Sequence, residues 1–281
     1  MEYGEEISKM IKGICLVNEP MSKHTTYGIG GPAMCYVKPK NKEELKKILL
    51  FAKQHSIQIY FVGSGSNLLV SDSGIDGIVI SLDKTLKEIQ FINDTTLYAE
   101  GGAMLGKLVK LCVHNNLTGL ESLIGVPGTL GGALIMNAGA FGGEISKYLE
   151  SVDIIKTDGK EYQYKSKEID FQYRSSSFSK DEILIGATFQ LTKDSSTNIQ
   201  EKRQNASQGR KSTQPLRFRS AGSVFKNTKD AAAGYLIDQS GLKGTQIGGA
   251  EISQKHANFF INKGNASSED VASLIRLARK K

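Results

Sequence analysis

The chain has 281 residues, with 36 Lys and Arg against 29 Asp and Glu for a formal charge of +7, and is 39% hydrophobic and 23% charged. That length exceeds what one hydrophobic core usually serves, so more than one packed unit is expected, and the composition excludes an intrinsically disordered chain. No apolar run approaches the roughly 18 residues of a membrane span, and the charged start lacks the apolar core of a signal peptide, which predicts a cytoplasmic protein without membrane insertion.

In chain order, Leu45, Ile48, Leu49 and Ala52 recur at helical spacing between Lys42 and His55 and predict a helix capped by Asn41. A strand is expected at Ile57–Val62, ended by Gly63-Ser64-Gly65-Ser66-Asn67, after which Leu68 to Val70 returns to extended character. Ile75–Ser81 and Thr96–Ala99 read as further strands, and Met104, Leu105, Leu108, Leu111 and Cys112 as a second amphipathic helix. The densest glycine stretch then runs from Gly125 through Gly128, Gly131 and Gly132 to Gly139 and Gly143. Strand patterns follow at Val152–Lys156 and Ile183–Leu191, on either side of Phe171–Phe178. The polar stretch Thr192–Asn198 reads as a boundary. A basic helix is expected at Ile199–Lys211, and a last one carries Val271, Leu274, Ile275 and Ala278 on one face behind Ser267 as cap. Cys15, Cys35 and Cys112 are odd in number and far apart, which fits neither a disulfide framework nor a metal pair; they read as buried small hydrophobes.

Glycine reaches positive φ and carries no side chain, so successive glycines let backbone N–H groups converge on a phosphate. The loop at 63–67 fails the Rossmann pattern, because Leu68 stands where a third glycine belongs and an extended segment follows. Gly125–Gly132 fails the P-loop pattern, having no Lys followed by Ser or Thr. What remains is a cradle in which Ser64, Ser66, Asn67 and Thr129 add side-chain donors to the amides, suited to a diphosphate joining two nucleoside-like halves. Tight turns without a ligand are the alternative. The excess positive charge favours anionic partners. The cluster Lys202, Arg203, Arg210, Lys211, Arg217 and Arg219 lacks a base-stacking motif, so nucleic acid is not the expected one. The four His and scattered carboxylates have no ligand spacing, and no metal is expected.

Segments in register at His24–Ala33, Gly63–Leu69, Gly125–Ala140, Tyr173–Phe178, Ser220–Asn227, Ala233–Ile237 and Lys255–Asn262 resemble the UDP-N-acetylenolpyruvoylglucosamine reductases over roughly residues 18 to 279. The compact final third is similar to the shorter class of that family. The resemblance implies an α+β protein. Residues 1–195 would form an FAD-binding region of the vanillyl-alcohol-oxidase-like (PCMH) type, in two subdomains at about 1–84 and 85–195. Residues 196–281 would form a C-terminal α+β substrate-binding domain. It also implies noncovalent FAD, NADPH as hydride donor, and reduction of UDP-N-acetylglucosamine enolpyruvate to UDP-N-acetylmuramate in peptidoglycan precursor synthesis.

Carried over position by position, the cofactor set is Gly63, Ser64, Gly65, Ser66, Asn67, Leu68, Gly125, Pro127, Gly128, Thr129, Gly131, Gly132, Asn137, Gly139 and Ala140. The Tyr-Arg motif makes Arg174 the cation beside charge that develops on the substrate carboxylate, and the Gly-Ser motif makes Ser223 the acid that protonates carbon 2. Tyr173, Lys226 and Asn227 are expected at the substrate. Arg210 and Lys211 are expected either on its diphosphate or on a solvated helix face, and Tyr27 either at a ligand or in the core. The family also carries a catalytic Glu in a short strand beyond the last helix. No Glu here matches that position, so a chain truncated at its C-terminus is expected, the alternative being a catalytically impaired binder of FAD and the UDP-sugar.

Overall fold

The computed structural model describes residues 2–281. Its first elements are α1 (Glu2–Met10), β1 (Ile14–Pro20), β2 (Pro32–Lys38), α2 (Lys42–Gln54), β3 (Ile59–Val62) and β4 (Ile75–Ser81). The four strands make one sheet in the order β1-β2-β4-β3, with β3 and β4 parallel and Ile59 opposite Ile78. Helix α2 starts where its cap predicts: Asn41 accepts from the Glu44 N–H at 2.9 Å, and Leu45, Ile48, Leu49 and Ala52 are all fully buried. Glu44 is buried too. Its carboxylate accepts from the backbone N–H groups of Lys12 (2.7 Å), Gly13 (3.1 Å) and Lys40 (2.7 Å), tying both flanking loops to the helix. Burial pushes its pKa up, but those donors together outweigh burial and leave it below the ordinary Glu value.

The next elements are β5 (Ile89–Phe91), β6 (Thr96–Glu100), α3 (Leu105–His114), β7 (Leu117–Thr118), α4 (Leu130–Ile135), β8 (Gly139–Ala140), β9 (Gly143–Glu144), β10 (Leu149–Lys156) and β11 (Glu161–Lys165). They are followed by β12 (Phe171–Gln172), β13 (Ser175–Ser176), β14 (Glu182–Gln190), β15 (Thr192–Lys193) and α5 (Ser196–Thr213). A five-stranded antiparallel sheet runs β11-β10-β14-β6-β5. Its core includes Leu97, Leu108, Leu134, Val152, Leu184 and Phe189, each worth about 1.5–3 kcal/mol on burial. Two segments differ from the sequence reading. The segment 68–70 forms no strand. The stretch read as a boundary holds β15, paired to β7 through Thr192 and Thr118, and the first turn of α5; a two-residue strand is too short to show a period.

The last elements are α6 (Ala233–Gln239), β16 (Gln246–Ile247), β17 (Ala250–Ile252), β18 (Phe260–Asn262) and α7 (Ser268–Lys280). The three strands pair in order, antiparallel. Ser267 and Asp270 make a reciprocal capping box on α7, and Asp72 accepts from the Ser268 N–H (2.7 Å) and hydroxyl (2.8 Å). Val271 and Leu274 of α7 are buried with Ile237, Leu242, Phe260 and Tyr27.

By internal packing the chain divides into two units: residues 1–17, 35–63 and 77–208 form one, and 18–34, 64–76 and 209–281 the other. Mixed helices and sheets bear out the α+β expectation. Among the described residues no helix is long and apolar enough to cross a membrane.

Candidate active site

In the first unit the glycines divide into those that pack and those that leave room. Strand β6 ends at Gly101-Gly102, where a Cβ would collide with the Leu184 and Leu82 carbonyls respectively. Gly131 sits in α4 with its missing Cβ 3.2 Å from Gly101 O, and its N–H donates to that same oxygen at 2.8 Å. The start of α4 is thus bonded to the end of β6, and even a Cβ at Gly131 would be a tight fit there. Thr129 caps α4 by accepting from the Gly132 N–H at 3.5 Å. A Cβ on Gly63, at the end of β3, would collide with Thr129 Oγ1, which brings the start of the first glycine loop against the second. Gly125 and Gly128 take positive φ (75° and 139°), while Gly125, Pro127 and Gly132 are exposed.

The end of α4 meets the Tyr-Arg motif. Asn137 has φ 39° and follows the helix in the left-handed region, with the Ala138 N–H donating back to Ala133 O at 2.7 Å, a conformation Asn tolerates better than most residues. Its side chain is buried and donates through Nδ2 to Gln172 O (3.1 Å) and Glu144 (3.4 Å). Tyr173 and Arg174 are the two loop residues of the β12–β13 hairpin, in which Gln172 opposes Ser175. The Ser176 hydroxyl pins that hairpin to Ile135 O at 2.7 Å. Arg174, at φ 54°, donates from Nη2 to Gly139 O, and its guanidinium lies 4.9 Å from the centre of the Tyr173 ring. Asn137, Gly139, Tyr173 and Arg174 are therefore one cluster. Ala140 continues the short β8–β9 ribbon beside it, opposite Gly143.

In the second unit Gly65 has φ 66°, and a Cβ there would collide with His24 O. Thr26 locks this crossing: its N–H donates to Gly65 O at 3.1 Å and its hydroxyl to Ser220 O at 2.7 Å. Ser66 and Asn67 form the turn after Gly65, and Leu68 leaves it half-buried. Tyr27 is core, its hydroxyl donating to Phe260 O at 2.8 Å. Ser223 is exposed and bridges Phe259, while a Cβ on the neighbouring Gly222 would meet nothing within 4 Å. The buried Asn258 fastens this segment by accepting from Phe225 N–H (2.9 Å) and donating to Phe225 O (2.8 Å). Lys226 is exposed. Asn227 accepts from the Ala233 N–H at 3.0 Å, so its carbonyl oxygen is committed to the start of α6.

Arg210 is the group whose state sequence alone left open. It is half-buried on α5: Nη1 donates to Gln214 at 2.9 Å, Nε is buried without a hydrogen-bond partner, and burial pushes its pKa down. A half-buried guanidinium with no carboxylate bonded to it among the described residues suits an anion. Ser64 Oγ and Asn137 Oδ1 are likewise buried without partners, so both fit a ligand rich in hydrogen-bonding groups. Among the described residues no group of three or more His, Cys, Asp or Glu is placed to hold a metal. A shallow groove lined by Lys110, Val113, His114, Gln200 and Arg203 contains none of the predicted site residues.

Comparison with known proteins places the chain in a family. Residues 33–164 match the FAD binding domain family, and residues 214–281 match the C-terminal domain of UDP-N-acetylenolpyruvoylglucosamine reductase. The UDP-N-acetylenolpyruvoylglucosamine reductases of Syntrophomonas wolfei and Anoxybacillus flavithermus are each 41% identical to the chain, over 94% and 98% of it and over 89% and 92% of their own lengths. The crystal structure of the Thermus caldophilus UDP-N-acetylenolpyruvylglucosamine reductase superposes with a TM-score of 0.83 at 34% identity, covering 96% of both chains. p-Cresol methylhydroxylase, at 14% identity and a TM-score of 0.51 over 69% of this chain, shares the fold alone.

Proposed function

From the premise that this chain belongs to the UDP-N-acetylenolpyruvoylglucosamine reductase family, we propose that it reduces UDP-N-acetylglucosamine enolpyruvate to UDP-N-acetylmuramate with NADPH, in the cytoplasm. It is a flavin-dependent oxidoreductase of peptidoglycan synthesis. Bound FAD supplies the hydride relay between NADPH and substrate. We assign residues 1–195 to FAD and 196–281 to substrate; the two family matches, at 33–164 and 214–281, fall within those limits.

The observation that carries the reading is the cluster of Asn137, Gly139, Tyr173 and Arg174, which ties the glycine segment to the Tyr-Arg hairpin. FAD would be held by the backbone of 63–68 and 125–132, with Thr129, Ser64 and the Asn137–Ala140 segment adding polar groups. Adding hydride to the enol ether pushes negative charge onto the substrate carboxylate. Arg174, already oriented by Gly139 O and the Tyr173 ring, presents a fixed cation to that charge, and Tyr173 adds apolar surface beside it. Ser223 holds the proton for carbon 2, and the exposed Lys226 stabilises the alkoxide left behind. Arg210 binds the diphosphate, and Asn227 shapes the loop below Lys226 through its bond to Ala233. Charge supports the assignment of an anionic substrate: the second unit holds 14 Lys and Arg against 8 Asp and Glu, a net +6, and the first 22 against 21, a net +1.

The test is to purify the protein, record its visible spectrum and follow NADPH oxidation with and without the UDP-enolpyruvyl sugar. A yellow protein whose NADPH consumption depends on that sugar and yields the saturated ether is the expected result. Yellow protein without turnover favours the impaired binder instead, and colourless protein refutes the FAD assignment.

A further inference from the structure

Cys15 and Cys35 stand on neighbouring strands of one sheet, β1 and β2, and both face α1. Cys15 Sγ donates to Gly4 O at 3.6 Å, and Cys35 Sγ lies 3.4 Å from where a Cβ on Gly4 would sit. Gly4 makes the approach possible, because a side chain there would run into Val17 Cγ2. Both sulfurs thus converge on Gly4 from adjacent strands. Cys35 and Cys112 are 1% exposed, as buried small hydrophobes should be, but Cys15 keeps part of its surface in solvent.

This arrangement separates the two sulfurs chemically. The neighbouring Cys35 side chain holds the Cys15 thiol down to about 7 against the opposing pull of burial. The same pairing, with burial, pushes Cys35 up. Cys112 has no such neighbour, and burial pushes it up to about 12. An accessible sulfur of low pKa beside a buried protonated one is the division of labour an attacking and a resolving thiol require.

We propose that Cys15 and Cys35 form an oxidisable dithiol that takes a hydroperoxide as oxidant, Cys15 attacking and Cys35 resolving. The Cys15 thiolate attacks a peroxide oxygen, the O–O bond breaks, and Cys15 becomes a sulfenic acid while the departing hydroxide takes up a proton and leaves as water. Cys35 then attacks the Cys15 sulfur, its own proton passing to the sulfenic oxygen. The S–O bond breaks, the disulfide forms and a second water leaves. Two thiols lose two electrons and two protons, and hydrogen peroxide accepts both. The reaction uses no residue assigned to cofactor or substrate.

The test takes the full chain as purified under reducing conditions, exposes it to hydrogen peroxide, then alkylates and digests it without reductant. The expected product is a Cys15–Cys35 cross-linked peptide that dithiothreitol reverses, with Cys112 still a free thiol. Before oxidation, Cys15 should react with iodoacetamide at neutral pH roughly 10-fold faster than an ordinary exposed thiol, from its larger thiolate fraction. Cys35→Ala should remove that advantage and stop oxidation at a dimedone-trapped Cys15 sulfenic acid. Direct conversion of wild-type Cys15 to sulfinic acid, or oxidation of Cys112 at the same rate, overturns the proposal; that measurement needs no variant to fold.

Discussion

In the first unit the groups assigned to the site are already held by protein. Asn137 donates to Gln172 O, Arg174 to Gly139 O and Ser176 to Ile135 O, with Asn137 and Arg174 held at positive φ, and charge is nearly balanced. In the second unit Ser223 and Lys226 are exposed, Gly222 is open, Arg210 is half-buried with an unpaired Nε, and positive charge is in excess. One unit therefore works through geometry fixed before any ligand arrives, and the other through charge that a ligand must complete. Geometric substitutions should hurt the first most, whereas charge removal and salt should hurt the second.

The largest effect is expected at Arg174. Arg174→Ala should lower turnover about 10²–10³-fold while the protein stays yellow, and Arg174→Lys should recover little, since an ammonium cannot replace the planar fork. Steady-state NADPH oxidation reads both, and near-normal turnover in Arg174→Ala would break the contrast between the units.

Next comes the frame of the first unit. Glu44→Gln should cost about 2 kcal/mol by removing a charged acceptor from three backbone donors. Because the Glu44 pKa is depressed in the folded state, its contribution is fully present above the unfolded value of about 4.3 and lost as pH falls through the folded one. Urea melts at stepped pH should show wild-type and Glu44→Gln stabilities converging in acid.

In the second unit Arg210→Gln should raise KM for the UDP-sugar about 10-fold, the equivalent of about 1.4 kcal/mol, with kcat nearly unchanged. In the wild type, kcat/KM should fall with added salt as the excess charge is screened. A kcat effect as large as the KM effect would place Arg210 at the reacting atoms instead. The smallest expected change is Ser267→Ala, which removes the α7 cap at about 1 kcal/mol and leaves activity intact; a thermal melt reads it.

Elements whose stability is local were legible from pattern alone. The Asn41 and Ser267 caps, the stripe of α2 and strand β4 at Ile75–Ser81 lie where spacing put them. Helix α4 was hidden, because Gly131 and Gly132 argue against a helix until the Gly101 carbonyl that Gly131 must approach is in place. Strands β1 and β2 also went unread, and with them the meeting of Cys15 and Cys35, which no spacing along the chain foretells.

By itself, then, the sequence determined the family, the cofactor class and the identity of the polar groups available, since those depend on residue types and their order. Only the tertiary structure decided which glycines serve packing, that Tyr27 belongs to the core and that Arg210 Nε is buried without a partner. The reason is physical: burial, and the hydrogen bonds that go unmade because of it, depend on segments far apart in sequence, and no local pattern carries that information.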